Sequence, residues 1–149
     1  MLTIREATPS DAEALHDLYV HHLNKITQAE PHNIPAWRDM LTRIAQNPFY
    51  HLLVGETDNR IVSSVTLIVI ENLTHNLRPY AVIENVVTHT EFRGRHFATT
   101  LMDRACEIAS GHGCYKIMLL TGSKQESTLR FYENCGYNRN DKTAFIRLL

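Results

Sequence analysis

The stretch from Tyr80 to Thr99 most restricts what this chain can become. Tyr80–Thr88 reads Tyr-Ala-Val-Ile-Glu-Asn-Val-Val-Thr. A β-branched and aromatic run of this length specifies a strand. Its centre holds an acid, Glu84. Burying a carboxylate alone is costly, so Glu84 must face water or be held by partners. If the sheet splays there, the acid lines a cleft instead of the core. After a loop, His89–Arg95, the apolar spacing changes: Phe97, Leu101, Met102, Ala105, Ile108 and Ala109 mark a helix ending near Gly111 and Gly113. The first turn of a helix offers free N–H groups and the positive end of the dipole, which suits phosphates. Arg93 and Arg95 add positive charge, and Gly94 lets a ligand approach the backbone. On spacing alone, a solvated basic turn explains the segment equally well.

The flanking segments supply the other elements. Leu2–Thr8 alternates and reads as a first strand. Thr8-Pro9-Ser10-Asp11 opens a helix, with Ala14, Leu15, Leu18, Tyr19, His22, Leu23 and Ile26 in its stripe. A polar loop, Thr27–Ile34, leads to Pro35 and a second helix carrying Trp37, Met40, Leu41 and Ile44 on one face. Tyr50–Glu56 and Arg60–Glu71 form a hairpin through Thr57-Asp58-Asn59, and Asn72–Pro79 is a loop. Later come an apolar strand (Tyr115–Leu120), a short helix (Gln125–Asn134) capped by Gly136, and a last strand (Thr143–Leu148). The predicted architecture is α/β (α+β), and no repeat or linker interrupts it, so residues 1–149 read as one domain.

Charge and cysteines narrow the functional classes. Lys+Arg is 15 against Asp+Glu 16, a net charge of -1, which argues against nucleic-acid and polybasic membrane partners. The start turns polar at once, so no secretory signal is visible, and the longest apolar run, near Val65–Ile70, is far below the ~20 residues that span a bilayer. Cys106, Cys114 and Cys135 lack disulfide or zinc spacing, giving the expectation of a reduced cytoplasmic protein with mostly buried thiols. Neither Cys114 nor Cys135 has a neighbour that activates it as a nucleophile. Nine histidines are the compositional oddity. His22 falls in the apolar register, His16 and His21 face solvent, and no set has metal spacing.

Val87-Thr88-His89-Thr90-Glu91-Phe92-Arg93-Gly94-Arg95-His96-Phe97-Ala98 resembles the acetyl-CoA signature of the GCN-five-related N-acetyltransferase (GNAT) superfamily. Thr128-Leu129-Arg130-Phe131-Tyr132-Glu133-Asn134-Cys135-Gly136-Tyr137 resembles its later aromatic motif. Within the superfamily, Ile83–Val87, Gly113–Ile117 and Phe131–Tyr137 look most like glucosamine-6-phosphate N-acetyltransferases. The resemblance implies a mixed central sheet with splayed middle strands flanked by helices. It implies acetyl-CoA as co-substrate, no metal, and direct transfer of an acetyl group to a primary amine of a small molecule. Glu84 would be the general base, with a pKa raised by its apolar strand, and Tyr132 the acid to the departing CoA thiolate. Val86, Val87 and Thr88 would pair with the pantetheine arm, an N–H near Val86 or Val87 would polarise the thioester, and the pyrophosphate would rest on Arg93, Gly94, Arg95, His96, Phe97, Ala98 and Thr99. Gln125 stands where the family often has asparagine, Thr128 where it has alanine, and His96 where the signature has its first glycine; helical backbone at that place accepts a histidine. Lys25, Arg38 and Arg78 are cations available to an anionic acceptor, which the loops at 26–34 and 72–79 would border. A CoA-binding module without turnover is the alternative. The terminal strand, as an exposed edge, predicts a homodimer.

Overall fold

A computed structural model describes residues 1–23 and 31–149. The readings of Lys25, of Ile26 and of most of the 26–34 loop lie outside the described residues. The chain divides into two compact units, Met1–Met118 and Leu119–Leu149.

The first unit is a sheet with helices on both faces. β1 (Thr3–Glu6) leads to a 3-10 turn, Pro9–Asp11, and then to α1 (Ala12–His22). The predicted cap is formed: the Thr8 amide donates to Asp11 Oδ2 at 2.7 Å, and Arg5 donates to both Asp11 carboxylate oxygens, at 2.7 and 2.9 Å. α2 (Ile34–Ala45) starts on Asn33, whose side chain accepts from the Ala36 amide. β2 (Tyr50–Thr57) and β3 (Arg60–Ile70) form the predicted hairpin. Its turn residues Asp58 and Asn59 both have positive φ, 51 and 57, as a two-residue turn matched to strand twist requires. α3 (Thr74–Leu77) is one turn within the predicted loop, and its His75, Asn76 and Leu77 are left-handed. β4 (Tyr80–Thr88) follows, then a second 3-10 turn, Thr90–Phe92, and α4 (Phe97–Gly111).

The strand order is β1-β2-β3-β4-β5, and the first four strands are antiparallel. β5 (Ile117–Leu119) is shorter than the predicted Tyr115–Leu120. It is joined to β4 through Tyr115 N–H to Pro79 O and Ala81 N–H to Lys116 O, both 3.0 Å. Those bonds advance in one direction along both strands, so the pair is parallel and the sheet mixed.

Leu15, Leu41, Leu52 and Val54 make the core beneath α1 and α2. Leu101, Met102, Ala105 and Ala109 of α4 are buried on the opposite face, where α4 packs across β3 and its neighbours β2 and β4. A Cβ built on Gly55 would lie 2.9 Å from Leu101 Cδ1, and Leu101 is fully buried. Each buried leucine contributes roughly 1.5–3 kcal/mol. Four side chains depart from the predicted pattern. Ala14 is exposed and His16 is buried, because the buried stripe of α1 runs through Ala12, Leu15, His16 and Leu18; Met40 is exposed on α2, whose buried residues are Ile34 and Leu41. Cys106 is also exposed, on the outer face of α4.

The second unit contains α5 (Glu126–Asn134) and its cap. Gly136 has the expected left-handed φ of 90, and Arg139 bonds both Glu126 and Glu133. The expected strand at Thr143–Leu148 is not formed. Its pattern is local, whereas a strand exists only against a hydrogen-bonded neighbour, and this stretch pairs with no strand among the described residues. Phe145, Ile146, Leu148 and Leu149 are exposed. The homodimer inferred from a terminal edge strand loses that basis.

Candidate active site

Glu84 is set by an irregularity in β4. The β3–β4 ladder pairs Ser64 with Val87 and Thr66 with Glu84. Val65 therefore opposes two residues, Asn85 and Val86, and the strand bulges. Asn85 adopts φ 52, a conformation that asparagine tolerates better than most residues. A bulge leaves backbone groups out of the ladder and sharpens the twist. Here it exposes Glu84 and Asn85 between buried Ile83 and Val87. The apolar surroundings anticipated for Glu84 are thus absent: its carboxylate meets solvent.

The register places Leu52, Thr66 and Glu84 in one row, on the face that carries α1 and α2. This row is rich in hydroxyls. Tyr19 and Ser64 share a hydrogen bond of 3.3 Å, and the Tyr19 and Tyr50 phenols both interact with the Thr66 hydroxyl. Burial pushes the Tyr50 phenol up; Thr66 pulls it back and the Glu84 carboxylate pushes it further up. Trp37 stands edge-on to Tyr19, with ring centroids 5.9 Å apart. Tyr19 had been readable only as a member of an apolar stripe, and Tyr50 and Thr66 as strand residues. The alternation of β2 and β3, followed through the hairpin register, is the signal that brings them beside Glu84.

On its outer edge, β4 meets β5. The Ala81–Lys116 bond brings Met118, the last residue of the first unit, alongside β4 near Val82 and Ile83. Past that point the first unit offers no further strand among its described residues, so within that unit the β4 edge at Val86, Val87 and Thr88 has no strand partner on that side.

Beyond β4, Arg93, Gly94, Arg95 and His96 are all exposed. Gly94 has φ 76 and nothing within 4 Å of where a Cβ would sit. Arg93 Nε donates to Thr88 O at 3.2 Å, and the Arg95 guanidinium lies 5.0 Å from the Phe92 ring centroid. His96 is the N-cap of α4 in left-handed conformation, φ 61 and ψ 15, and its side chain caps nothing. This corrects the sequence reading: the position is not helical, and a glycine there would be free of strain. The first bond of α4 runs from Thr100 N–H to His96 O, 3.0 Å. Among the described residues no group accepts from the amides of Phe97, Ala98 and Thr99. Together they form an open row of donors at the positive end of a 15-residue helix.

Of the other candidate residues, Arg78 is occupied: it donates to Gly113 O at 3.0 Å and Cys114 O at 3.1 Å. Arg38 is exposed on α2. Burial pushes the Cys114 thiol up, which makes it a poor nucleophile. A separate cleft, lined by Arg5, Asp11, Asp17, Glu56, Arg60 and His89, opens beside α1. Its Arg5 charge is met within the protein by Asp11 and Glu56. In the second unit, Tyr132 lies on α5 with its ring edge-on to Phe131 at 5.0 Å. Gln125 is the N-cap residue of α5, where its backbone carbonyl accepts from Thr128 and Leu129.

A bulged strand with an outturned acid, an open strand edge and an uncapped helix start form one constellation. The acetyltransferase (GNAT) family matches residues 12–137, and the chain belongs to that family. A glucosamine 6-phosphate N-acetyltransferase from Trypanosoma brucei brucei is 33% identical over 89 residues, which cover 60% of this chain and 58% of that protein. The chain thus aligns with little more than half the length of that relative. A putative acetyltransferase from Agrobacterium tumefaciens is 34% identical, with a TM-score of 0.86 over 98% of this chain and 99% of that one. The glucosamine-6-phosphate N-acetyltransferase of Arabidopsis thaliana shares the fold, with a TM-score of 0.83 at 19% identity over 99% of this chain and 98% of that one.

Proposed function

We propose that this protein is an acetyl-CoA-dependent N-acetyltransferase acting on a primary amine of a small molecule. The observation that carries the reading is the junction of the β4 bulge with the open amides of Phe97, Ala98 and Thr99. The residues fit the co-substrate: an uncapped helix start suits a diphosphate, and the β4 edge that the first unit leaves without a strand partner at Val86, Val87 and Thr88 suits an amide-containing arm. Bound acetyl-CoA supplies an activated thioester. Around it, the amides from Gly94 to Thr99 hold negative charge, the Arg93 amide being taken by Thr90 O, and a bulge N–H at Val86 or Val87 stabilises oxygen charge as the amine attacks. Glu84 takes a proton from the ammonium, directly or through water, because an alkylammonium with a pKa near 10 is no nucleophile at neutral pH. The C–S bond breaks as the C–N bond forms, and the thiolate is protonated. Tyr132 is assigned that protonation on its motif match alone, as Gln125 is assigned to the co-substrate.

The acceptor approaches on the α1–α2 side of Glu84, where Tyr19, Trp37 and Tyr50 offer an aromatic, hydroxyl-bearing wall. An amino sugar phosphate is the acceptor we favour, on the names of the relatives. We read residues 1–149 as one catalytic domain, since the family match crosses both units without a break. The exposed apolar residues at Phe145, Ile146 and Leu148 support association into a homodimer.

The test is release of free thiol from acetyl-CoA with glucosamine 6-phosphate and a panel of other primary amines. Amine-dependent release is expected, falling on the order of 10²–10⁴-fold in Glu84→Gln, with CoA binding by calorimetry unchanged. Binding of CoA without release on any amine would leave a non-catalytic module, and an unaffected Glu84→Gln would remove the assigned base.

A further inference from the structure

The excess of histidine has a structured outcome away from the candidate active site. His51 lies on β2 and His112 caps the C-terminus of α4, 61 residues later, yet their Nε2 atoms are 3.0 Å apart. On the other side of its ring, His51 Nδ1 lies 2.8 Å from Glu6 Oε1. The His51 side chain is only 17% exposed, and Phe49 packs against His112 with ring centroids 5.9 Å apart.

The tautomers follow from the partners. A carboxylate only accepts, so His51 Nδ1 carries the hydrogen. A neutral His51 then presents a lone pair at Nε2, and His112 donates its Nε2–H to it. One added proton fits on His112 Nδ1 without disturbing the contact, and the resulting charge sits at the negative end of α4. A second added proton must go to His51 Nε2, where it would face the N–H of His112, and the contact cannot survive.

The same two nitrogens could instead grip a metal ion, and the ring geometry separates the cases. Imidazoles aimed head-on across 3.0 Å have centroids about 5.3 Å apart, whereas two rings chelating one cation at about 2.1 Å and near right angles bring them to about 4.6 Å. The observed separation is 5.2 Å. The rings are aimed at each other, as a shared proton requires.

We propose that Glu6, His51 and His112 form a proton-holding site that latches the C-terminal end of α4 to the sheet, stays closed with one added proton and opens with a second. The charges near it are few. On β1, Arg5 is engaged with Asp11 and Glu56. Across the ladder, β3 presents apolar Leu67. On α4, Glu107 pairs with Arg104. After the helix, Lys116 rests on the Tyr80 and Tyr115 rings. Among the described residues, Glu6 is thus the one acid in hydrogen-bond contact with the pair. The site is independent of the transferase reading, since it touches none of the assigned residues.

A double-mutant cycle of His51→Gln and His112→Gln in the full chain, by urea unfolding, measures the contact. The coupling should be about fivefold in the unfolding equilibrium at pH 7.5 and absent at pH 5. Nitrogen-15 spectra of the unaltered protein serve as a readout that needs no variant. At pH 7.5 they should show one Nε2 protonated and its partner bare. Glu6→Gln separates carboxylate titration from imidazole titration: the loss at low pH should persist in it. Equal coupling at both pH values would overturn the proposal. So would two protonated Nε2 atoms at pH 7.5, or stabilisation by zinc chloride that His51→Gln abolishes, which would make this a cation site.

Discussion

At the scale of single residues, His96 and Asp11 show opposite relations between sequence and backbone. His96 holds a left-handed conformation that costs a side-chain-bearing residue roughly 1–2 kcal/mol, part of which glycine's greater chain entropy offsets. His96→Gly should therefore raise unfolding stability by up to about 1 kcal/mol, visible as a higher melting temperature. Asp11 is well matched to its place. Burial alone would push its carboxyl up, but the Arg5 guanidinium and the Thr8 amide and hydroxyl outweigh it and hold the group below the usual carboxylate range. A folded-state value below the unfolded one means stability present above about pH 4 and lost as pH falls further. Asp11→Asn should cost roughly 1–3 kcal/mol at pH 7, and the gap from wild type should shrink as acid unfolding is followed down to pH 2. The cap was legible because Thr8, Pro9 and Asp11 are neighbours in sequence. The strain at His96 was not, because nothing local distinguishes a histidine that begins a helix from one held just outside it.

At the scale of elements, the β4 bulge is what separates an ordinary meander from a site. Glu84 was visible as an acid in an apolar strand, and its exposure follows from one extra residue. Asn85 gave no comparable signal, since asparagine is common in exposed strands and turns alike. Asn85→Val, β-branched at φ 52, should destabilise by about 1–2 kcal/mol in urea unfolding. It should also reduce thiol release by more than the loss of folded protein accounts for, because the geometry around Glu84 depends on the turn. The hairpin at Asp58–Asn59 was legible for the opposite reason: its turn residues carry the whole instruction. The stretch Thr143–Leu148 illustrates the limit. Alternation reports what a segment can do when a neighbour is available and says nothing of whether one is.

For the molecule as a whole, charge and exposed apolar surface act together. A net charge of -1 and a pI near 6.7 leave little repulsion between copies at neutral pH. Protonation of some of the nine histidines adds positive charge below about pH 6. Light scattering should accordingly show more association at pH 7 than at pH 5.5, and a chain ending at Lys142 should associate less at pH 7 because Phe145, Ile146 and Leu148 are gone. Equal scattering from both chains would assign the association to another surface.

The depth at which α4 rides on the sheet is fixed by a carbon that is not there. Gly55 sits under Leu101, one turn into that helix, and the gap between them would not admit a methyl group. Any side chain at Gly55 works as a wedge beneath a lever whose short arm ends at the amides of Phe97, Ala98 and Thr99. Damage at that spot would surface as misaligned donors on the far side of the helix, in a residue that no ligand ever touches.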